Sequence, residues 1–260
     1  LEAMPTWHPN GKEVAFVTWD QNQGGNVYKI RTDKKAKPVL LTQEKGVYTQ
    51  PVWSPDNRIV VFKGSAQQFR EADGPTAFQQ KSDLIWLNGE GAGKSNWITK
   101  AAGYSNPHFA QNDKRIYLNT AEGLVSIKWD GTDKKQHLQV DGITVYGSSY
   151  DENHLLADTP TAPQKKPSKA STLLRAPKGP YALAQINNDL YVVTVPYLGE
   201  KGAKINVKVA SEAAFPSRKL TKFGGQFPSW DPSGRVVYWT LGKTLFRYDI
   251  TKAEAVEKTQ

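Results

Sequence analysis

The sequence contains no cysteine, so disulfides, thiolate nucleophiles and cysteine metal sites are excluded together, while the redox compartment stays open. It shows no apolar stretch long enough to span a membrane and no signal peptide. Leu1-Glu2-Ala3-Met4 run straight into a repeated phrase, and Leu1 is therefore not expected to be a natural start. Apolar periodicity at helical spacing is also missing, and no convincing helix is expected. The longest candidate, Lys252 to Lys258, reads equally as an outer strand.

Catalytic constellations are missing as well. Of the four histidines, His8 and His108 fall in or beside expected inner strands and His137 and His154 in loops, with no carboxylate–histidine pattern at metal-ligand spacing. There is no Gly-x-Ser-x-Gly elbow. Gly91-Ala92-Gly93-Lys94-Ser95 imitates a phosphate loop, but the required first glycine falls on Asn88 and the stretch joins two strands. No helix N-terminus would meet a phosphate there, so a hairpin turn is the better reading. The expectation is no catalytic residue, no metal and no cofactor.

Charge excludes less. The 34 Lys and Arg exceed the 25 Asp and Glu, giving a formal +9, which permits attraction to acidic partners. The basic pairs Lys34-Lys35, Lys134-Lys135 and Lys165-Lys166 sit in expected turns and a Pro-rich loop, and aromatic and basic residues do not interleave in one tract. Neither nucleic-acid binding nor membrane insertion is expected.

What the sequence does contain is one phrase, repeated. Pro51-Val52-Trp53-Ser54-Pro55-Asp56-Asn57-Arg58 precedes the apolar run Ile59-Val60-Val61-Phe62; Pro5-Thr6-Trp7-His8-Pro9-Asn10-Gly11-Lys12 and Pro228-Ser229-Trp230-Asp231-Pro232-Ser233-Gly234-Arg235 precede similar runs. Weaker copies lie at Pro107-His108-Phe109 and Arg175-Ala176-Pro177-Lys178-Gly179. The positions Trp7, Trp53, Phe109, Arg175 and Trp230 are spaced by 46, 56, 66 and 55 residues, which identifies one supersecondary unit with variable insertions.

Each unit divides alike. The phrase supplies a first strand, its Pro-Asp or Pro-Asn turn reverses the chain, and Gly or Asn in the next place accepts positive φ. The apolar run is a second strand. Third strands follow at 26–30, 83–87, 123–129, 189–195 and 244–248, and short fourth strands end in an apolar residue and Thr, as in Leu41-Thr42, Ile98-Thr99 and Leu220-Thr221. Four antiparallel strands per unit, radially repeated, describe a β-propeller. Antiparallel sheets only are expected, with Trp7, Trp53, Phe109 and Trp230 in equivalent inner-strand positions, where such an aromatic fills the wedge between neighbouring blades.

These residues carry a resemblance. The repeated Trp-Ser-Pro-Asp-like phrase, with its apolar run and Leu-Thr-ending strand, resembles the propeller repeats of the TolB family, the WD40-like repeats of PD type, over nearly the whole chain. Lys63-Gly64-Ser65-Ala66, Glu122-Gly123-Leu124-Val125-Ser126, the run 184–196 and Gly224-Gly225-Gln226-Phe227-Pro228 are similar, more narrowly, to the propeller preceding an amidohydrolase domain in large bacterial exported proteins. The metal-binding histidine pattern of that catalytic domain is not found here. The resemblance therefore implies a catalytic neighbour or a protein partner, and a periplasmic or otherwise exported location. TolB-like rings have six blades and five units are visible; Pro160, Pro163 and Pro167 argue against a blade between 142 and 169. The sixth blade is expected from sequence outside 1–260, and closure by five is the alternative.

On this plan residues 1–260 form a single propeller domain, or a fragment of one, with insertions at 64–82, 141–172 and 197–217. The first two rise from one face, because loops joining strands two to three and four to one emerge together. That face, with Tyr48, Arg70, Tyr104, His108 and Arg175 near it, is the expected binding surface. Tyr48 and Tyr104 are placed at its inner edge, where rim packing and recognition both suit an aromatic. For Arg175, a stem packed on its own blade is preferred over a ligand contact. Pro9, Pro55, Pro177 and Pro232 are assigned to the opposite-face turns. Two functions remain open: a non-catalytic scaffold for protein or interdomain contacts, and an accessory propeller that gates substrate for a metal-dependent amidohydrolase or peptidase-like hydrolase.

Overall fold

The structure, a computed structural model, describes residues 1–33, 35–71, 81–101, 103–111, 113–143, 167–197 and 202–257. It divides into two units, Leu1–Lys135 and Gln136–Gln260. Five meander blades account for nearly all the regular structure, and the all-β propeller class expected from the repeat is observed.

In the first unit, β1 (Glu2–Trp7), β2 (Glu13–Thr18), β3 (Val27–Arg31) and β4 (Val39–Leu40) form one antiparallel sheet in chain order. A second follows from β5 (Val47–Trp53), β6 (Arg58–Gly64), β7 (Ser82–Asn88) and β8 (Asn96–Lys100), with a short helix α1 (Ala66–Glu71) between β6 and β7. Next come β9 (Ser105–His108), β10 (Ile116–Thr120) and β11 (Gly123–Ile127), again antiparallel.

The run 59–62 shows why a blade's second strand is apolar throughout. Successive side chains of a strand point to opposite faces. Ile59 and Val61 enter the cluster with Ala15, Val27 and Leu41 of the first sheet, whereas Val60 and Phe62 enter another with Ile116, Leu118 and Ile127 of the third. A strand sandwiched between two neighbours has no solvent face on which to place polar residues.

The second unit contains β12 (Lys135–Asp141), whose first residue marks the boundary, then β13 (Thr172–Arg175), β14 (Tyr181–Ile186), β15 (Asp189–Thr194), β16 (Ala203–Asn206) and β17 (Ser217–Lys219). β13, β14, β15 and β17 make a four-stranded antiparallel sheet. The last sheet has three strands, β18 (Gln226–Trp230), β19 (Val236–Leu241) and β20 (Thr244–Asp249), and ends in helix α2 (Ile250–Glu257).

The tight turns explain the phrase. Asn57, Gly11, Gly179 and Gly234 sit at the same turn position with φ of 64°, 69°, 80° and 69°, a conformation open to Gly and tolerated by Asn. In the second blade Ser54 Oγ donates to Asp56 Oδ1 at 2.5 Å and accepts the Arg58 N–H at 2.9 Å. In the fifth the two residue types exchange places: Ser233 Oγ donates to Asp231, and Asp231 Oδ1 accepts the N–H groups of Arg235 and Val236. Either order satisfies the donors of the next strand.

Two expectations are corrected. The sheets are not antiparallel throughout, because β16 pairs with β12 in parallel, from Leu138 opposite Ala203 to Asp141 opposite Asn206. Residues 197–217 are thus more than a loop. Ala203, Ile205 and Val207 are buried while Lys204, Asn206 and Lys208 are exposed, an alternation hidden in a Lys-rich stretch. The C-terminal candidate, equally readable as a strand, is helix α2, held by Ile250 in the apolar cluster and by a 2.7 Å hydrogen bond from Tyr181 Oη to Glu254 Oε1. Insertion residues 72–80, 144–166 and 198–201 lie outside the described residues, and with them His154, Lys165, Lys166, Pro160 and Pro163.

Candidate functional site

The inner strands share a distortion that begins one residue before the phrase. Met4, Gln50, Asn106 and Phe227 each precede the proline and each has positive φ, 51°, 52°, 49° and 53°. At each place the register with the second strand slips, between Ala3 and Thr6, Thr49 and Val52, opposite Tyr117 and Asn119, and between Gln226 and Ser229. These are β-bulges built on non-glycine residues, at a backbone cost on the order of 1–2 kcal/mol apiece. In the fourth blade Leu173 stands where the others have proline, and β13 pairs with β14 without a slip.

In the first unit the bulges are joined. The Gln50 N–H donates to Met4 Sδ at 3.2 Å, and the Asn106 N–H donates to Gln50 Oε1 at 2.6 Å. Asn106 Nδ2 donates in turn to Asn119 Oδ1 at 3.0 Å. The bulges of the second and third blades therefore each have an N–H that the side chain of the preceding blade's bulge receives. His108 Nδ1 donates to the Asn106 carbonyl at 2.8 Å, which fixes the proton on that nitrogen in the neutral ring.

The adjoining loops of this unit contact one another. Trp19, between β2 and β3, meets Phe69 of α1 edge-on with ring centroids 4.9 Å apart. Lys45, between β4 and β5, bonds Gln23 of the first of these loops. Phe69 is 40% exposed and its neighbour Arg70 is exposed, so two blades together present an aromatic pair and a cation.

The expected contact residues are divided differently. Tyr48 is buried, its hydroxyl donating to the Glu44 carbonyl at 2.6 Å, and burial pushes its pKa upward. It is a core residue, so of packing and recognition it has the packing role, because its strand position points into the cluster around Trp53 and Leu41. Tyr104 is half-buried against the cluster of the second and third blades, with the Lys134 ammonium 6.0 Å from its ring centroid. Arg175 lies in the second unit, and its Nη1 donates to the Tyr181 carbonyl at 2.6 Å across its own β-hairpin.

Among the repeat residues, Trp53 is 3% exposed and meets His8 of the previous blade edge-on at 4.5 Å. Phe109, just past β9, stacks on Trp129 at 5.6 Å, and Trp230 Nε1 donates to the Leu174 carbonyl on β13 at 3.0 Å. Trp7 departs from the wedge expected of it and is 62% exposed. Trp53 reaches back onto the sheet before it, whereas Trp7, at the same place in the first sheet, is not among the residues of the cluster between the two sheets. Pro9, Pro55, Pro177 and Pro232 occupy the turns between first and second strands.

Sequence reasoning missed Met4, Gln50, Asn106 and Trp19. A usable signal for the first three was present: one residue precedes each Pro-x-Trp or Pro-x-Phe phrase, and a pre-proline residue is already restricted in conformation.

Bulged inner strands, proline turns and meander blades together define the chain as an all-β propeller. No protein-family model and no curated protein sequence matches it. Among solved structures it is similar to a gluconolactonase from Xanthomonas campestris, with a TM-score of 0.55 and 10% identity over 95% of this chain and 71% of that one. It is equally similar to TolB from Acinetobacter baumannii, with a TM-score of 0.55 and 12% identity over 96% of this chain and 52% of that one. The chain thus spans about half the length of that TolB. At these identities the likeness establishes the fold, and function rests on the site.

Proposed function

We propose that this chain is a non-catalytic propeller scaffold that offers its loop face to another protein or to a covalently linked catalytic domain. The observation that carries the reading is the Trp19–Phe69 pair with Arg70 beside it, assembled from loops of two blades. Large aromatics and Arg dominate the energetics of protein interfaces, the aromatics because they bury much area at little conformational cost and Arg because it adds directed hydrogen bonds. His108, with Nδ1 bonded to a backbone carbonyl, serves here to position the Asn106 bulge.

By its resemblance to TolB-type and amidohydrolase-linked propellers, the proposed setting is the periplasm or another exported location. Among the described residues no helix is long and apolar enough to cross a membrane. The reading is tested by amide hydrogen exchange on the protein alone and with its partner or linked domain. Protection at residues 19–24 and 65–71 supports it. Protection confined to the proline turns at Pro9, Pro55 and Pro232 contradicts it, and substrate turnover that depends on this chain favours the gating alternative.

A further inference from the structure

One position on the third strand is fully buried in four blades. Val27, Leu84, Leu124 and Leu190 are each 0% exposed. Register makes them equivalent, since they lie opposite Val17, Phe62, Asn119 and Gln185. In the fifth blade the same place, opposite Thr240, is Leu245, which is 67% exposed.

The first and fourth blades show what binds the backbone there. The Leu41 N–H donates to the Val27 carbonyl at 2.9 Å, and the Val27 N–H donates to Thr42 Oγ1 at 3.3 Å. The Leu220 N–H donates to the Leu190 carbonyl at 2.8 Å, and the Leu190 N–H donates to Thr221 Oγ1 at 3.0 Å. Each threonine hydroxyl in turn donates a hydrogen bond to the side-chain oxygen of the residue before the buried one, Asn26 Oδ1 or Asp189 Oδ1, at 2.9 Å. An apolar residue followed by Thr thus takes up both backbone groups of the third strand at once.

The fifth blade has the receiving half alone. Thr244 precedes Leu245 and offers a hydroxyl where Asn26 and Asp189 stand. Among the described residues β20 carries no fourth strand, and Leu241 and Phe246 beside Leu245 are exposed. Helix α2 does not cover this end. The Ile250 N–H bonds the Arg235 carbonyl and Glu254 bonds Tyr181, at the opposite end of the hairpin.

We propose that the outer edge of β20 is a strand-addition site for an extended segment of a partner polypeptide carrying an apolar residue followed directly by threonine. The apolar residue's N–H donates to the Leu245 carbonyl, the Leu245 N–H donates to the threonine Oγ1, and that hydroxyl donates to Thr244 Oγ1. Main-chain bonds supply the affinity of such an augmentation, and the apolar-Thr pair supplies its selectivity. The proposal shares with the scaffold reading only the premise that the partner is a polypeptide, and it concerns a different surface.

The probe is a synthetic peptide of the protein's own fourth strand, residues 216–222, Pro-Ser-Arg-Lys-Leu-Thr-Lys, titrated into the whole chain with amide exchange read residue by residue. Protection of the Leu245 amide is expected to rise at least about tenfold. A peptide with Val in place of Thr loses both hydrogen bonds of the hydroxyl and is expected to bind about ten- to a hundredfold more weakly. A peptide N-methylated at its Leu should not protect Leu245. Because these changes are in the peptide, folding of the protein is not at issue. No protection at millimolar peptide, equal binding of the Val peptide, or protection that rises with protein concentration alone through pairing of two copies would each overturn the proposal. Protection of residues 19–24 and 65–71 by a partner would be untouched by any of these results, so the two readings fail separately.

Discussion

The Asn106 backbone N–H donates to Gln50 Oε1 at 2.6 Å, so the bulge in one blade is closed by a side chain from the blade before it. Gln50→Ala removes the acceptor and leaves a half-buried N–H behind. The expected cost is about 1–2 kcal/mol, whereas Gln50→Glu keeps an acceptor and should recover most of it. Denaturant unfolding of the three proteins checks this; an Ala variant within about 0.5 kcal/mol of the parent, the range of an ordinary surface substitution, would show that the contact is incidental.

Trp53 and Trp7 hold the same place in the repeat and should respond oppositely. Trp53→Ala opens a cavity in the first-to-second blade cluster and is expected to cost about 3–5 kcal/mol. Trp7→Ala, on an exposed side chain, should stay within about 0.5 kcal/mol. Trp53 Nε1 is buried without an acceptor among the described residues, so Trp53→Phe gives up ring area and no hydrogen bond, and should fall well below the Ala cost. Equal effects of Trp7→Ala and Trp53→Ala on thermal unfolding would contradict the assignment.

Acid sensitivity follows from the turns. The hydrogen bond from Arg58 holds the Asp56 carboxyl below its ordinary value of 3.8, with Ser54 assisting against some burial. For Asp231, burial pushes upward but is outweighed by Ser233 and the backbone N–H groups of Val236 and Arg235, so its pKa also ends lower. A carboxyl depressed in the folded state binds fewer protons there than when unfolded. Its stabilisation is present above the ordinary value and lost as pH falls through the lower folded one. Asp56→Asn should therefore flatten the fall in stability below about pH 4 and leave its slope between pH 5 and 8 unchanged. Identical acid limbs for parent and variant would refute this.

The fold was legible because the repeat phrase states its own geometry. Proline sets φ, the residue two places on takes positive φ, and the following apolar run has a neighbour on each side. What escaped was conformation set by a neighbour. The parallel strand at Ala203, Ile205 and Val207 depends on β12 being there to receive it, and Lys204 and Lys208 disguised its period. Tyr48 read as a rim aromatic because sequence places it three residues before Pro51, but the bulge at Gln50 lies between them and alters which face it takes. Arg70 emerged beside Phe69, while Trp19, which completes that pair, lay in a loop with no repeat to single it out. Arg175, expected to pack its stem on its own blade, bonds the Tyr181 carbonyl within its own hairpin.

The central claim is that the face built by the Trp19 loop and α1 is where a partner binds. A photo-crosslinking residue placed at Arg70, and separately at Ser233 in a proline turn, tests it most directly, with conjugates mapped to the partner or linked domain by mass spectrometry. The account predicts a discrete conjugate from position 70 that is lost when Trp19 and Phe69 are both changed to Ala, and none from position 233. A conjugate from position 233 alone, or one from position 70 indifferent to loss of the two aromatics, would contradict it.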